Sequence, residues 1–288
     1  MLKKRIVATL VVKNNIVVQS IGFSKFLPVG KPDIAVEFLN QWGVDEIIFL
    51  DIDATKYKRL PNYSLIKKIS RKCQVPLTVG GGIKDINHIK ELMHCGADKV
   101  SLNNSAINNS ELISEAATVF GNQCVVASID ATYINNQYKV YDYTSKKIID
   151  RLPADFAVDM ERAGAGEILI NSVDRDGCYT GFDLNLINSV CNAVRVPVIC
   201  SGGAKNAIDF VEVFQKTNVS AAAAANFFHF SEHSVITSKA FVSNRLPIRI
   251  ETQATYHSSS FDLDLRLQKK NDDALEKLLF TKIEKELI

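Results

Sequence analysis

The stretch "VPLTVGGGIKD", residues 75–85, returns as "VPVICSGGAKN" at 196–206. Each is a short β-rich apolar run that opens into glycines, the pattern of a buried strand leaving its sheet through a tight loop. The start moves from 75 to 196, an offset of 121. A second pair keeps that spacing, with "DEIIFLDIDATK" beginning at 45 and "GEILINSVDRDG" at 166. Two pairs at one offset read as an internal duplication.

Working outward, apolar β-rich runs occur at 5–11, 46–51, 76–80, 98–103, 124–129, 167–172, 197–201 and 219–225. Between them lie amphipathic segments such as "DINHIKELMHCG" and "DFAVDMERAGAG", the latter ending in glycines suited to a helix C-cap. Strands that are apolar throughout, each followed by a helix, indicate a parallel sheet covered on its outer face. Eight of them fit a closed (β/α)8 TIM barrel built from two half-barrel repeats better than an open doubly wound sheet. On this alignment "VATLV" pairs with "VASID", setting Ala8 against Ala127 and Val11 against Asp130. One half brings an acid to its first strand tip, and the other brings valine.

The predicted barrel spans residues 1–250. From 251 to 288 the pattern changes to a polar, turn-rich stretch and then "DDALEKLLFTKIEKELI", with apolar residues at 275, 278, 279, 283 and 287. That is helical spacing. The extension reads either as a helix lying on the barrel or as one that binds a partner.

Of the 288 residues 47% are hydrophobic and 23% charged, as in a soluble globular chain with a sizeable core. A net charge of +2 and no long basic run argue against nucleic acid or a membrane surface. The apolar runs are strand-sized, so no transmembrane helix is expected. The N-terminus lacks a signal-peptide cleavage pattern. Six scattered cysteines, with no paired spacing and no histidines at ligand distance, predict reduced thiols in a cytoplasm, without metal or disulfide framework. No cofactor is expected.

In a barrel of this kind chemistry sits at the C-terminal strand ends. Collected there are Asp51, Asp53, Gly80, Gly81, Gly82, Asn103, Asn104, Asp130, Ser172, Asp174, Asp176, Gly177, Ser201, Gly202 and Gly203. Glycines after strands let backbone N–H groups approach an anion. Two glycine clusters at symmetry-related positions therefore suggest a ligand with two phosphates, set against simple tight turns. Asp130 is a candidate for proton transfer, since a carboxylate at a partly desolvated mouth can titrate near neutral pH; the alternative is a helix cap or an ion pair. At the opposite rim Arg5, Glu46, Lys99 and Glu167 each open a strand run. They form either an inward salt-bridged ring or a set of solvated charges.

Several motifs carry a resemblance: "FLDI" (49–52), "TVGGGI" (78–83), "GADKVSLN" (96–103), "GAGEIL" (164–169), "DRDG" (174–177) and "SGGA" (201–204). Residues 1 to about 250 resemble the cyclase subunit of imidazole glycerol phosphate synthase, the HisF family. The resemblance implies a glutaminase docked at the barrel bottom, ammonia passing through the barrel, and a phosphorylated small-molecule substrate at the mouth. It casts Arg5, Glu46, Lys99 and Glu167 as an ammonia gate, and Gly82, Asn103, Asp176, Gly177 and Gly203 as phosphate-site positions, with Gly202 in the same cluster. The family's product is imidazole glycerol phosphate, for histidine biosynthesis.

Three departures stand at the mouth. The family's two acid–base aspartates fall at Val11 and Asp130, its loop lysine falls at Gln19, and a phosphate-site serine falls at Asn226. With "FLDIDAT" and "FSKFLPVGKP", they resemble a paralogous branch, the HisF-like acetamidino-modification proteins of surface-polysaccharide pathways. That branch implies a glutaminase and a sugar amidotransferase as partners. The other expectations are an ordinary cyclase that tolerates Val11, and a phosphate-binding activator of the glutaminase without chemistry of its own.

Overall fold

The apolar runs do become strands, because their β-branched side chains pack on both faces of a covered sheet. The computed structural model describes residues 3–229 and 233–250, with 260–262, 268 and 271. In chain order the strands are β1 (Arg5–Lys13), β2 (Ile16–Ile21), β3 (Lys25–Gly30), β4 (Glu46–Asp51), β5 (Leu77–Gly80) and β6 (Lys99–Leu102). They continue with β7 (Val125–Ile134), β8 (Gln137–Asp142), β9 (Lys147–Ile149), β10 (Glu167–Ser172), β11 (Val198–Ser201) and β12 (Ala221–Ala224). Eight of them close a ring, β1–β4–β5–β6–β7–β10–β11–β12 and back to β1, with parallel neighbours throughout. This is the (β/α)8 TIM barrel predicted from the repeat.

The register makes the duplication physical. Ile47 pairs with Leu77 in the first half and Ile168 with Val198 in the second, at the 121-residue offset. Val11 pairs with Leu50 where Asp130 pairs with Asn171. Residues 11 and 130 therefore occupy equivalent strand positions.

Between barrel strands run helices whose ends the sequence marks. Asp85 caps Ile86–His94 by accepting from the Asn87 and His88 amides, and Asn206 with Asp209 forms a reciprocal capping box on Ala207–Lys216. Gly164, left-handed at φ 108°, ends Pro153–Ala163. Inside the barrel Val7, Ile48, Val126, Leu169, Ile199, Ala221 and Ala223 form a buried apolar cluster, with Leu50 against it. Under the floor, the buried Lys239 Nζ donates to Asp45 Oδ1 at 2.5 Å, while Asp45 Oδ2 accepts from the Ile6 amide. That pair ties the helix Ser234–Ser243 to the start of the barrel.

Four strands were not predicted. β1 overruns the barrel and turns back as β2 and β3, while β7 overruns it and turns back as β8 and β9. The two turns are twins: Asn14 and Asn15 stand at φ 50° and 61°, Asn135 and Asn136 at 49° and 61°. Both central residues at positive φ are what a two-residue hairpin turn of matching twist demands.

The chain divides into one unit of Met1–His257 and a second of Ser258–Ile288. The helix expected at 275–287 lies outside the described residues. Among the described residues no helix is long and apolar enough to cross a membrane.

Candidate functional site at the barrel mouth

At the C-terminal strand ends lies a cavity of about 1080 Å³, open to solvent. Its walls include Val11, Leu50, Gly80 to Gly82, Asn103, Asp130, Asn171 and Asp176, under a rim of Phe23, Phe26 and Tyr143. Strand alternation explains the membership. Residues two apart on a strand face the same side, so Thr9 and Val11 of β1 line it, as do Ser128 and Asp130 of β7.

Asp130 is buried at 7% exposure. Asn103 Nδ2 donates to its Oδ2 at 3.2 Å, and Asn171 Nδ2 to its Oδ1 at 3.4 Å. Burial pushes its carboxyl up to about 7; the two amides pull the other way, and nearby Asp176 and Asp142 add to the rise. A group that titrates there can give or take a proton at neutral pH.

The other acids at the mouth are committed elsewhere. Asp51 caps Ile52–Lys56 and is gripped by Arg59 through both carboxylate oxygens at 2.8 and 2.9 Å. Asp53 holds the β1–β2 turn through Asn14 N at 3.1 Å. Asp174 accepts from Thr132 Oγ1 and Tyr133 N, fastening the β7–β8 hairpin. Asp176 accepts from Ser20 Oγ at 2.6 Å and Phe23 N at 3.2 Å, fastening the β2–β3 hairpin. The "DRDG" loop thus holds both hairpins, and the β2–β3 turn meets the β8–β9 turn where the rings of Phe23 and Tyr143 stand edge to face, 5.7 Å apart.

The glycines pack on backbone in both halves, but it is the first cluster that lines the cavity. Gly82 lines the cavity beside Asn103, its N–H donating to Thr55 Oγ1 at 3.1 Å. In the second half a Cβ on Gly177 would stand 2.3 Å from the Ser20 carbonyl, and one on Gly203 2.1 Å from that of Gly181. Gly202 lies beside Gly203, against the end of β10. Asn226, where a serine was expected, makes a two-way bond with Ser20: its Nδ2 donates to the Ser20 carbonyl at 2.6 Å, and its Oδ1 accepts the Ser20 N–H at 3.1 Å. Gln19 donates to the Tyr179 hydroxyl at 3.1 Å.

At the opposite end Arg5, Glu46, Lys99 and Glu167 come together. Arg5 reaches Glu46 at 2.6 Å and also Glu167; Lys99 reaches Glu46 at 3.1 Å and Glu167 at 2.9 Å. Thr78 adds a hydroxyl bond to Glu46 at 2.8 Å. The carboxylates are almost fully buried, with side-chain exposures of 1% and 6%, so this is an alternating ring across the strand starts and not a set of solvated rim charges.

The family model for the histidine biosynthesis protein matches residues 5–234. The chain belongs to that family. Within it the chain is HisF-like. It is 44% identical over 265 residues to the provisionally named imidazole glycerol phosphate synthase subunit hisF2 of Vibrio vulnificus (strain YJ016), covering 92% of this chain and 97% of that one. It is 43% identical to imidazole glycerol phosphate synthase subunit HisF of Lactococcus lactis subsp. cremoris (strain SK11), over 87% of this chain and 98% of the relative. The HisF subunit of Thermococcus onnurineus (strain NA1) is 41% identical, over 87% and 99%.

Sequence reasoning about this HisF-like mouth missed Thr9, Ser101 and Asn171, all of which line the cavity. A signal for Asn171 was present, since "EILINS" carries asparagine where the sister run "EIIFLD" carries Leu50. Among the described residues Thr9 Oγ1, Ser101 Oγ and Asn171 Oδ1 are buried polar atoms without a hydrogen-bond partner. Such atoms cost about 1–3 kcal/mol each unless something satisfies them.

Proposed function

We propose that this protein is the synthase half of a glutamine-dependent enzyme, taking ammonia from a glutaminase docked on the face that carries Arg5, Glu46, Lys99 and Glu167. The observation that carries the reading is the buried charge ring, which stands at one end of the barrel interior while Asp130 stands at the other. A glutaminase that releases ammonia against that ring would deliver it along the barrel axis to the mouth, sheltered from bulk water.

We further propose that the delivered nitrogen serves acetamidino modification of a surface-polysaccharide sugar, together with a separate sugar amidotransferase. Val11 favours this over cyclisation, because the position equivalent to Asp130 holds no proton. Gly82 and Asn103 would bind a phosphate of a small-molecule ligand, as would Gly202 and Gly203, with Asp176 and Gly177 joining them if the β2–β3 hairpin shifts from those two. The second reading is the imidazole glycerol phosphate cyclase of histidine biosynthesis. It is favoured by Asp130, which is poised near neutral pH, and by relatives that bear that name.

The deciding experiment pairs the purified protein with glutaminases encoded beside it. Activation of glutamine hydrolysis, abolished by charge reversal at Glu46 or Glu167, supports the subunit reading. No activation of any of them overturns it.

A further inference from the structure

We infer that the β2–β3 hairpin is a latch over the second-half glycine cluster, so that the mouth takes one phosphate with the hairpin closed and seats a second fully only by releasing it. That these glycines bind phosphate rests on the proposed function; the latch itself does not.

The two halves differ in what covers them. Gly81 and Gly82 correspond to Gly202 and Gly203 at the 121-residue offset. Among the described residues lining the cavity are Gly81 and Gly82, but neither Gly177 nor Gly202 nor Gly203. The way the hairpins lean accounts for this. The β7–β8 hairpin is fastened through Thr132 and Tyr133 to Asp174, and through Tyr138 to Asp183. The β2–β3 hairpin is fastened to Asp176, Tyr179 and Asn226. Both bear on the second half, and the first cluster stays open.

Over Gly177 the fit is close. A Cβ there would stand 2.3 Å from the Ser20 carbonyl oxygen, 3.0 Å from Asn226 Nδ2 and 3.0 Å from Ile21 Cα. No anion reaches Gly177 from that side unless the hairpin moves. Six hydrogen bonds hold it down. Ser20 exchanges two with Asn226, and Asp176 Oδ2 accepts from Ser20 Oγ and the Phe23 N–H. The Gly22 N–H donates to the Asp176 carbonyl at 2.9 Å, and Gln19 donates to Tyr179. Ser20 and Asn226 are 2% and 6% exposed, so their bonds are shielded from water. At the tip Phe23 is left-handed at φ 53°, a conformation that a bulky side chain avoids. The latch holds a strained turn, and the strain favours release once its bonds are broken.

A phosphate that gains Gly177 only in the released form binds that form better, and so shifts the hairpin toward it. Its apparent affinity is lowered in proportion to how rarely the hairpin is released. A ligand with one phosphate, seated at Gly82 and Asn103, carries no such penalty. Asn226 is then the residue that sorts ligands by their number of phosphates.

The test titrates the purified full chain with inorganic phosphate, with sodium chloride at matched ionic strength as control. Amide NMR follows Gly82 and Gly203, while hydrogen exchange follows the latched amides of Ser20, Gly22 and Phe23. Two steps are expected. Gly82 shifts first with the three amides still protected, and Gly203 shifts later as their exchange accelerates. Asn226→Ala should lower the second midpoint by roughly thirtyfold, the factor for losing two such bonds, and leave the first in place. Ser20→Ala, which cuts a different bond of the same latch, should move it the same way by a smaller factor. A shift at Gly203 with the hairpin amides still protected overturns the latch. So does slower exchange on binding, or a second midpoint unmoved in both variants. Silence at Gly82 with a linked response at Gly203 removes the first-half phosphate of the proposed function and keeps the latch; silence at both clusters overturns both.

Discussion

At the residue scale, Asp130 and Val11 carry the sharpest expectations. Asp130 has a folded pKa raised from 3.8 to about 7, so its neutral form is the one folding prefers. The stability it confers is fully present below pH 3.8, and is lost as pH rises through about 7. By linkage the loss is on the order of 4 kcal/mol at most. Asp130→Asn should flatten that part of the profile, so urea midpoints at acid and alkaline pH should converge relative to the parent; parallel profiles would count against the raised pKa. Val11 predicts a chemical deficit. Without one member of an acid–base pair a reaction typically forfeits ~10²–10⁴ in rate. Little imidazole glycerol phosphate is expected from the parent protein even with ammonia supplied in excess, and a measurable gain from Val11→Asp. Rescue of a histidine-requiring cyclase deletion by the parent would instead favour the cyclase reading.

At the element scale, the two hairpins are what distinguishes this mouth from a bare barrel rim. Asn226 and Ser20 exchange two hydrogen bonds, each worth about 1 kcal/mol. Asn226→Ala should therefore raise proteolytic nicking around residues 22–24 by roughly thirtyfold, since losing about 2 kcal/mol shifts an opening equilibrium by that factor. Unchanged digestion would mean that Asp176 alone holds the flap. Barrel strands were legible from the sequence because each is a run of buried apolar residues bounded by loops. The flaps were not, because Lys25–Gly30 is almost wholly exposed and lacks an apolar face to read. Their turns were readable in principle: the Asn doublets at 14–15 and 135–136 are hairpin signals overlooked among long strands. The committed roles of Asp51, Asp53 and Asp174 were equally hidden. A carboxylate at a strand tip looks alike in sequence whether it meets solvent or a backbone amide.

At the scale of the whole molecule, the charge ring was legible as residue types at strand starts, but its closure required the register of four separate strands. Lys99→Met should leave the barrel folded, because Arg5 still bridges Glu46 and Glu167. Its cost should stay below the about 3–5 kcal/mol of a buried pair broken outright. With a cognate glutaminase, glutamine consumption should persist while nitrogen incorporation falls and free ammonia accumulates; incorporation matching the parent would remove Lys99 from the conduit. The ring of strands itself has a consequence for biosynthesis. β1 finds one neighbour in β4, but its other edge waits for β12, and residues 5–8 pair with 221–224. A nascent chain must therefore be translated almost to the end of its barrel before the first strand loses its open edge. Until then the edges of β1 and β11 are templates for aggregation. A chain truncated after residue 216 should precipitate on expression where one extended to 250 stays in solution, so this protein depends on whatever shields the emerging half-barrel on the ribosome.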